Sequence, residues 1–233
     1  MLNDEVKSLR EQFNDLADDA QRYCWITRDS SLQEAAIARI AEFRQDLSTR
    51  KKAAVSEVKE DLANAILSFD EMAKALRHEL QMWIELKRSN PDAAWEELIA
   101  AQSATRWAMA AHQVASHLDN YVRRLHAIER LLFPRQMFFS SGTLVRASEC
   151  SICGGEYGEC DHVKGRPYLG EICSRIVTDF ELTEVSVVED PADKGCRVLH
   201  AGDESGVMRN VMTGLEAPGS NKSSAKGSSA EAR

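Results

Sequence analysis

The sequence predicts an α+β chain: a long-helix bundle or coiled coil of about three helices, then a small β module, then a disordered C-terminal tail. Three observations carry this. The first glycine is Gly142, and Pro91 is the only proline ahead of Pro134. Before Gly142, apolar residues recur at gaps of three and four. After it, glycines recur, short β-like runs appear, and four cysteines with one histidine crowd into residues 149–173. The expected organisation is 1–133 helical, 134–148 linker and first strand, 149–201 β module, and 202–233 disordered.

Glycine and proline are the strongest helix breakers, so a long stretch nearly free of both reads as helix. Leu2, Val6, Leu9, Phe13, Leu16, Ala20 and Tyr23 form the first heptad-like seam. A break follows at Arg28-Asp29-Ser30. Ser31 with Glu34 three residues on is a capping-box signature for a second helix. Its seam is Val55, Leu62, Phe69, Leu76 and Trp83, seven apart, widened by Val58, Ile66, Met72 and Leu80. Thr49-Arg50-Lys51-Lys52 reads as a bend or a solvated face. Taken as one element, this helix would hold about 55 residues and run roughly 80 Å.

Ser89-Asn90-Pro91-Asp92 opens the third helix, because proline suits a first turn and disfavours helix in the residue before it. Its seam is Ala104, Trp107, Ala111, Val114, Leu118, Tyr121, Leu125, Ile128 and Leu132, and Phe133-Pro134 closes it. Helices with one apolar stripe must pack in an antiparallel bundle or pair with other copies. A homo-oligomer through these seams is therefore an expectation.

Beyond Gly142 the β-like runs are Thr143–Val145, Ile176–Val177, Leu182–Val188 and Arg197–Leu199. Leu182, Val185 and Val187 predict a strand with one buried face. From about Gly202 the Gly/Ser/Ala-rich composition predicts disorder.

The net charge of −8 is spread along the chain. A non-specific grip on nucleic acid needs a positive stripe, and none is evident. No apolar run approaches the ~20 residues that span a bilayer. The N-terminus is charged from its fourth residue, unlike a secretory signal. A cytoplasmic protein with no membrane association is expected, and in a reducing compartment clustered cysteines point to metal rather than disulfides.

Cys150-x2-Cys153-Gly154 has the form of a zinc knuckle. Two thiolates three residues apart can share one ion when the chain turns tightly. Cys160-x-His162 and Cys173 supply the remaining candidates, so five groups compete for the four places of a structural Zn2+ site. An all-cysteine set with His162 nearby stays open. A thioredoxin-like redox pair would need a strand–helix context that Gly154-Gly155 does not offer. A catalytic ion would keep an open place for water, and neither a His-x-Glu deaminase pattern nor His-Glu-x-x-His occurs. A segment of about 45 residues is too small to fold on core burial alone, so the ion would supply folding energy.

The helical part offers no comparable chemistry. His112 and His117 lie about 140° apart around a helix, and with His126 they read as ordinary surface or seam residues. Glu-x-x-His is absent from the helical region, and no phosphate-cradling loop occurs before Gly142. The tryptophans at 25, 83, 95 and 107 read as core.

"CSICGGEYGECDHVKGRPYLGEIC" resembles a cysteine-rich segment, C-x-I-C-G…C-x-H-x-x-G-x-x-Y-x-G-x-x-C, of tailed-phage and prophage-encoded proteins. "LTEVSVVEDPADKGC" is similar to the closing strand of phage prohead-protease-like proteins, relatives of the herpesvirus assemblins. The resemblance covers about Cys150 to Val198. It implies phage ancestry and a similar β element. It carries over no catalytic residue: the family's nucleophilic segment, like S-I-G-F, is absent, and Ser186 falls in the closing strand itself.

The expected function is non-enzymatic: an interaction or assembly factor with a structural zinc site, its partners other proteins, among them phage structural proteins. The alternatives are a degenerate or cryptic prohead-type serine protease, tested through Ser186, and a nucleic-acid-binding zinc module using Lys164, Arg166 and Arg175.

Overall fold

The computed structural model describes residues 4–202 and 206–218. Leu2 of the first seam lies outside them, as do residues 203–205 and 219–233 of the expected tail. The helical part holds five helices: α1 (Asp4–Gln21), α2 (Ser30–Ser56), α3 (Glu60–Lys87), α4 (Pro91–Ala111) and α5 (Asp119–Leu132), with a 3-10 turn at Gln113–Ala115.

α3 is the central helix. It packs against α1, α2 and α4, and its sequence explains why. Leu62, Ala63, Ala65, Ile66, Phe69, Met72, Ala73, Leu76, Leu80 and Trp83 are all buried, a stripe too wide for a surface helix. The first seam meets it through Val6, Leu9 and Phe13, with Phe13 tilted against Phe69 at 5.8 Å. The seams thus close on one another within the chain.

Two expectations on helix length are corrected. The second helix breaks at Glu57–Lys59, not at Thr49–Lys52, which stays helical. Val58 adopts φ +56° there and is 74% exposed rather than widening the stripe. The third helix breaks between His112 and Leu118, where His112 Nδ1 accepts a hydrogen bond from Val114 N at 3.2 Å and starts the 3-10 turn. Both breaks let the chain double back and bury its stripe instead of extending it. Trp83 and Trp95 are core, whereas Trp25 is 59% and Trp107 38% exposed.

Local caps follow the sequence. Asp29, two residues ahead of the expected box at Ser31, caps α2 by accepting from Ser31 N at 2.8 Å. Gln33 is fully buried and ties the α1–α2 connection, its Nε2 donating to the carbonyls of Tyr23 and Trp25. Pro91 sits in the first turn of α4 as expected.

One charged pair lies inside the bundle. Glu79 has no exposed surface, and its Oε2 accepts from Arg124 Nη2 at 2.5 Å. Its Oε1 has no hydrogen-bond partner. Burial raises the Glu79 carboxyl above its ordinary value, against the opposing pull of Arg124.

The β part is a long antiparallel ribbon and two small hairpins. β1 (Phe138–Cys150) pairs with β4 (Arg175–Val188); β2 (Pro167–Tyr168) pairs with β3 (Glu171–Ile172); β5 (His200–Gly202) pairs with β6 (Met208–Asn210). The ribbon bulges opposite Gly142, where an added Cβ would lie 2.7 Å from Glu184 Cγ. Disorder from residue 202 does not hold for 206–218: β6 is formed, and Asn210 Nδ2 donates to Asp92 at 2.7 Å. The buried strand face expected at Leu182, Val185 and Val187 is corrected too, since all three are more than half exposed. Arg197–Leu199 is not a strand; Arg197 makes one bridge to Phe138 and an ion pair with Asp92.

Candidate metal centre

The ribbon spans the distance between two anchors on the helical body. At one end Phe138 is buried against Trp95, with Phe133 edge-on to the same ring at 5.4 Å. Trp95 Nε1 donates to the Lys194 carbonyl at 3.1 Å, and Lys194 pairs with Glu129 on α5. At the other end Cys150 and Arg175 lead into the cysteine-rich loops.

These loops fold as two turns. In the first, Gly154 N donates to the Cys150 carbonyl and Cys150 N to the Gly155 carbonyl, both at 2.8 Å. Gly154 takes φ +71°, a region costly for residues with a Cβ. Ile152 N points at Cys150 Sγ from 3.4 Å. This is the tight turn that Cys-x-x-Cys-Gly predicts. In the second, Cys173 N donates to the Arg166 carbonyl and Gly165 N to that of Cys173. Tyr168 OH and Tyr157 OH accept from the amides of Val163 and Lys164.

The turns bring ligand atoms of Cys150, Cys153, Cys160 and His162 within 4.8 Å of one another. A group of three sulfurs and an imidazole this close could hold a metal ion. Nδ1 of His162 is buried without a hydrogen-bond partner, and the ring stands edge-on to Tyr168 at 4.7 Å. A buried ring nitrogen left unpaired is costly in an ordinary loop and natural in a ligand.

Cys173 is not in that four-membered group. It is fully buried behind Cys150, sulfur to sulfur 3.8 Å. Burial and the neighbouring Cys150 hold its thiol above the ordinary value. Burial also works against ionising Cys150, but amide donors at Cys153 and Ile152 and the Cys153 and Cys160 thiols outweigh it, drawing Cys150 down to about 6. Cys160 is pushed up: the His162 amide favours its thiolate, and burial with the Cys150 and Cys153 sulfurs overrides that. Sulfurs that resist ionising side by side are what a divalent ion accommodates as thiolates.

Glu156, Glu159 and Asp161 are exposed and stand outside the group. Arg175 is committed locally, its Nε donating to Ser148 Oγ at 2.8 Å with its guanidinium over the Tyr157 ring.

Sequence reasoning missed what seats this module on the helices. At the β2–β3 turn, Gly170 N donates to Asn64 Oδ1 of α3 at 2.7 Å, and Leu169 N donates to Glu60 Oε1 at 3.3 Å. Gly170 has φ +81°, and an added Cβ would lie 3.3 Å from both Ala63 Cβ and Ala63 O. The glycine was visible in the sequence, but its helical partner lies 106 residues away.

The fold and site define a class: a helical body carrying a small β module built around a Cys3His metal-type cluster. No family model, curated protein or solved structure matches the chain. Among the described residues no helix is long and apolar enough to cross a membrane.

Proposed function

We propose that this chain is a non-enzymatic interaction or assembly protein in which one zinc ion fixes the module at the far end of an exposed ribbon. Cys150, Cys153, Cys160 and His162 hold the ion, and Cys173 packs behind Cys150 as a protonated thiol. The observation that carries this reading is the convergence of the four ligand atoms within 4.8 Å. Sulfur-rich, four-membered sets suit zinc in a closed structural site. The ion stabilises hairpins that have little core of their own: the buried residues of β1's far end and the second turn are Ser148, Cys150, Gly170 and Cys173, so the buried apolar side chains there are the two cysteines. The resemblance of the Cys150–Val198 region supports phage-particle assembly as the setting, with structural proteins as partners and the cytoplasm as the compartment that keeps thiolates reduced.

The test is metal analysis of protein isolated with reductant and without chelator. About one zinc per chain is expected. Cys153→Ser, Cys160→Ser and His162→Ala should each lower it, and Cys173→Ser should not. Loss of zinc in Cys173→Ser with retention in His162→Ala would identify an all-cysteine set; its sulfurs would also sit ~3.8 Å apart at Zn–S ~2.3 Å. A metal-free protein with a fully folded module would end the reading.

The protease alternative rests on Ser186, which lies in the ribbon opposite Ser140. Among the described residues no histidine hydrogen-bonds it. Specific cleavage of a capsid protein, abolished by Ser186→Ala, would restore that alternative.

A further inference from the structure

β1 and β4 are fixed at both ends and bare between them. Every residue of Arg175–Val187 is exposed. The register pairs Phe139 with Val187, Ser141 with Val185, Thr143 with Leu182 and Val145 with Phe180. Paired residues project from the same face of an antiparallel ribbon. That face therefore carries six apolar side chains, two hydroxyls and no charge. Phe139, Phe180, Leu182, Val185 and Val187 are 47–60% exposed on it. The opposite face presents Ser140 with Ser186, Gly142 with Glu184, and Leu144 with Glu181. It is polar apart from Leu144.

A two-stranded ribbon is marginally stable in water on its own. One with a continuous apolar face calls for a cover, and the chain's own helices do not provide it. We propose that a second copy of this chain covers it, the two ribbons packing face to face about a two-fold axis. This identifies the partner within the interaction reading above, on which it rests.

Three arguments select a second copy. The first is shape. A two-fold axis lying between the ribbons and across their strands sets the Phe139/Val187 end of one copy on the Val145/Phe180 end of the other. Phe139 then meets the second copy's Val145, and Phe180 meets its Val187. Large faces small at both ends, the interdigitation that packed sheets use. An isologous contact demands such self-complementarity.

The second argument is charge. The apolar face has none, so identical copies do not repel across it. Pairing through the free edge of β4 would instead bring Glu181 and Glu184 of one copy beside the same residues of the other.

The third is area. The seven residues Phe139–Val145 at ~3.4 Å each, on a ribbon ~10 Å wide, give ~240 Å² of flat apolar face per copy. Two half-exposed phenylalanines, Phe139 and Phe180, adding ~100 Å² each lift this to ~440 Å². The pair buries ~900 Å², just under the ~1,000 Å² of a stable specific interface and the size of a weak, transient one. The dimer is therefore reversible and dissociates on dilution.

Sedimentation velocity on the zinc-loaded full chain, across a dilution series spanning micromolar concentrations, tests this. A monomer–dimer equilibrium is expected. Val185→Asp and Phe180→Asp should each weaken it at least tenfold, while zinc content and far-UV circular dichroism stay unchanged. Ser186→Asp, on the polar face, should leave it intact. A zinc-loaded chain that stays monomeric throughout overturns the proposal without touching the zinc reading. So does a dimer indifferent to Val185→Asp, or one lost equally on Ser186→Asp. A dimer with the expected sensitivities in a chain that binds no zinc would sink the zinc reading and leave this one standing.

Discussion

Replacing Arg124 by alanine exposes the cost of the one carboxylate buried among the helices. Glu79 has no exposed surface, one of its oxygens is already unpaired, and among the described residues Arg124 is its only cationic partner. Breaking a buried pair from one side costs about 3–5 kcal/mol. Arg124 is itself 35% exposed, so water can enter its place and the lower end applies. The carboxyl also has an escape. It can take up a proton, at a cost of about 1.36 kcal/mol for each pH unit above ~4.3, or ~3.7 kcal/mol at pH 7 and ~1 kcal/mol at pH 5. The loss in Arg124→Ala is thus expected near ~3 kcal/mol at pH 7, shrinking to about 1 kcal/mol at pH 5. In the parent protein the Glu79 carboxyl is already held above its ordinary value. It binds its proton more tightly in the fold than in the unfolded chain. Its contribution is complete below the unfolded value and fades as pH rises through the folded one. Removing Arg124 widens that window upward. Urea unfolding followed at 222 nm, at pH 5, 6, 7 and 8, measures the difference. At pH 7 the melting temperature should fall by about 6–12 °C. In a Glu79→Gln background the pH dependence should vanish. A loss of equal size at all four pH values would refute the buried-charge account.

Three further outcomes are expected. Gly170→Ala forces a Cβ toward Ala63 at a positive φ, and Asn64→Ala removes the acceptor of the Gly170 amide; each should weaken the seating of the module by about 1–3 kcal/mol, read as faster amide exchange at Tyr168–Cys173 with the α1–α2 amides unchanged. Val58→Gly removes a β-branched residue from φ +56° at an exposed site and should raise stability by about 1 kcal/mol in the same urea assay. With zinc bound, iodoacetamide should modify exposed Cys196 and spare Cys24, whose thiol burial holds far above its usual range; stripping the metal should add Cys153 and Cys160 to the modified set, as mass spectrometry would show.

How much of this was legible in the sequence depends on the range of the interaction. The Cys-x-x-Cys-Gly turn, the Pro91 helix start and the change of texture at Gly142 are local, set by which backbone conformations each residue tolerates. The same holds for four of the five ligand candidates, which gather through turns closing within about a dozen residues. Glu57–Lys59 was missed because its neighbours are good helix formers. That break exists so that α3 can turn back and bury a stripe too wide for one partner. Gly170 meets Asn64, and Trp95 meets Phe138, across separations that no spacing rule encodes.

The sequence by itself determined where helix gives way to β structure and which side chains have the chemistry to share an ion. Steric limits on φ and ψ, and thiolate affinity for a soft cation, act residue by residue. Only the tertiary structure decided that the helical seams are consumed within the chain while the ribbon's apolar face is left in water. Alternation along a strand shows that one face is apolar. What covers that face depends on the placement of every other element, because burial is a property of the whole assembly of surfaces and not of the segment that carries them.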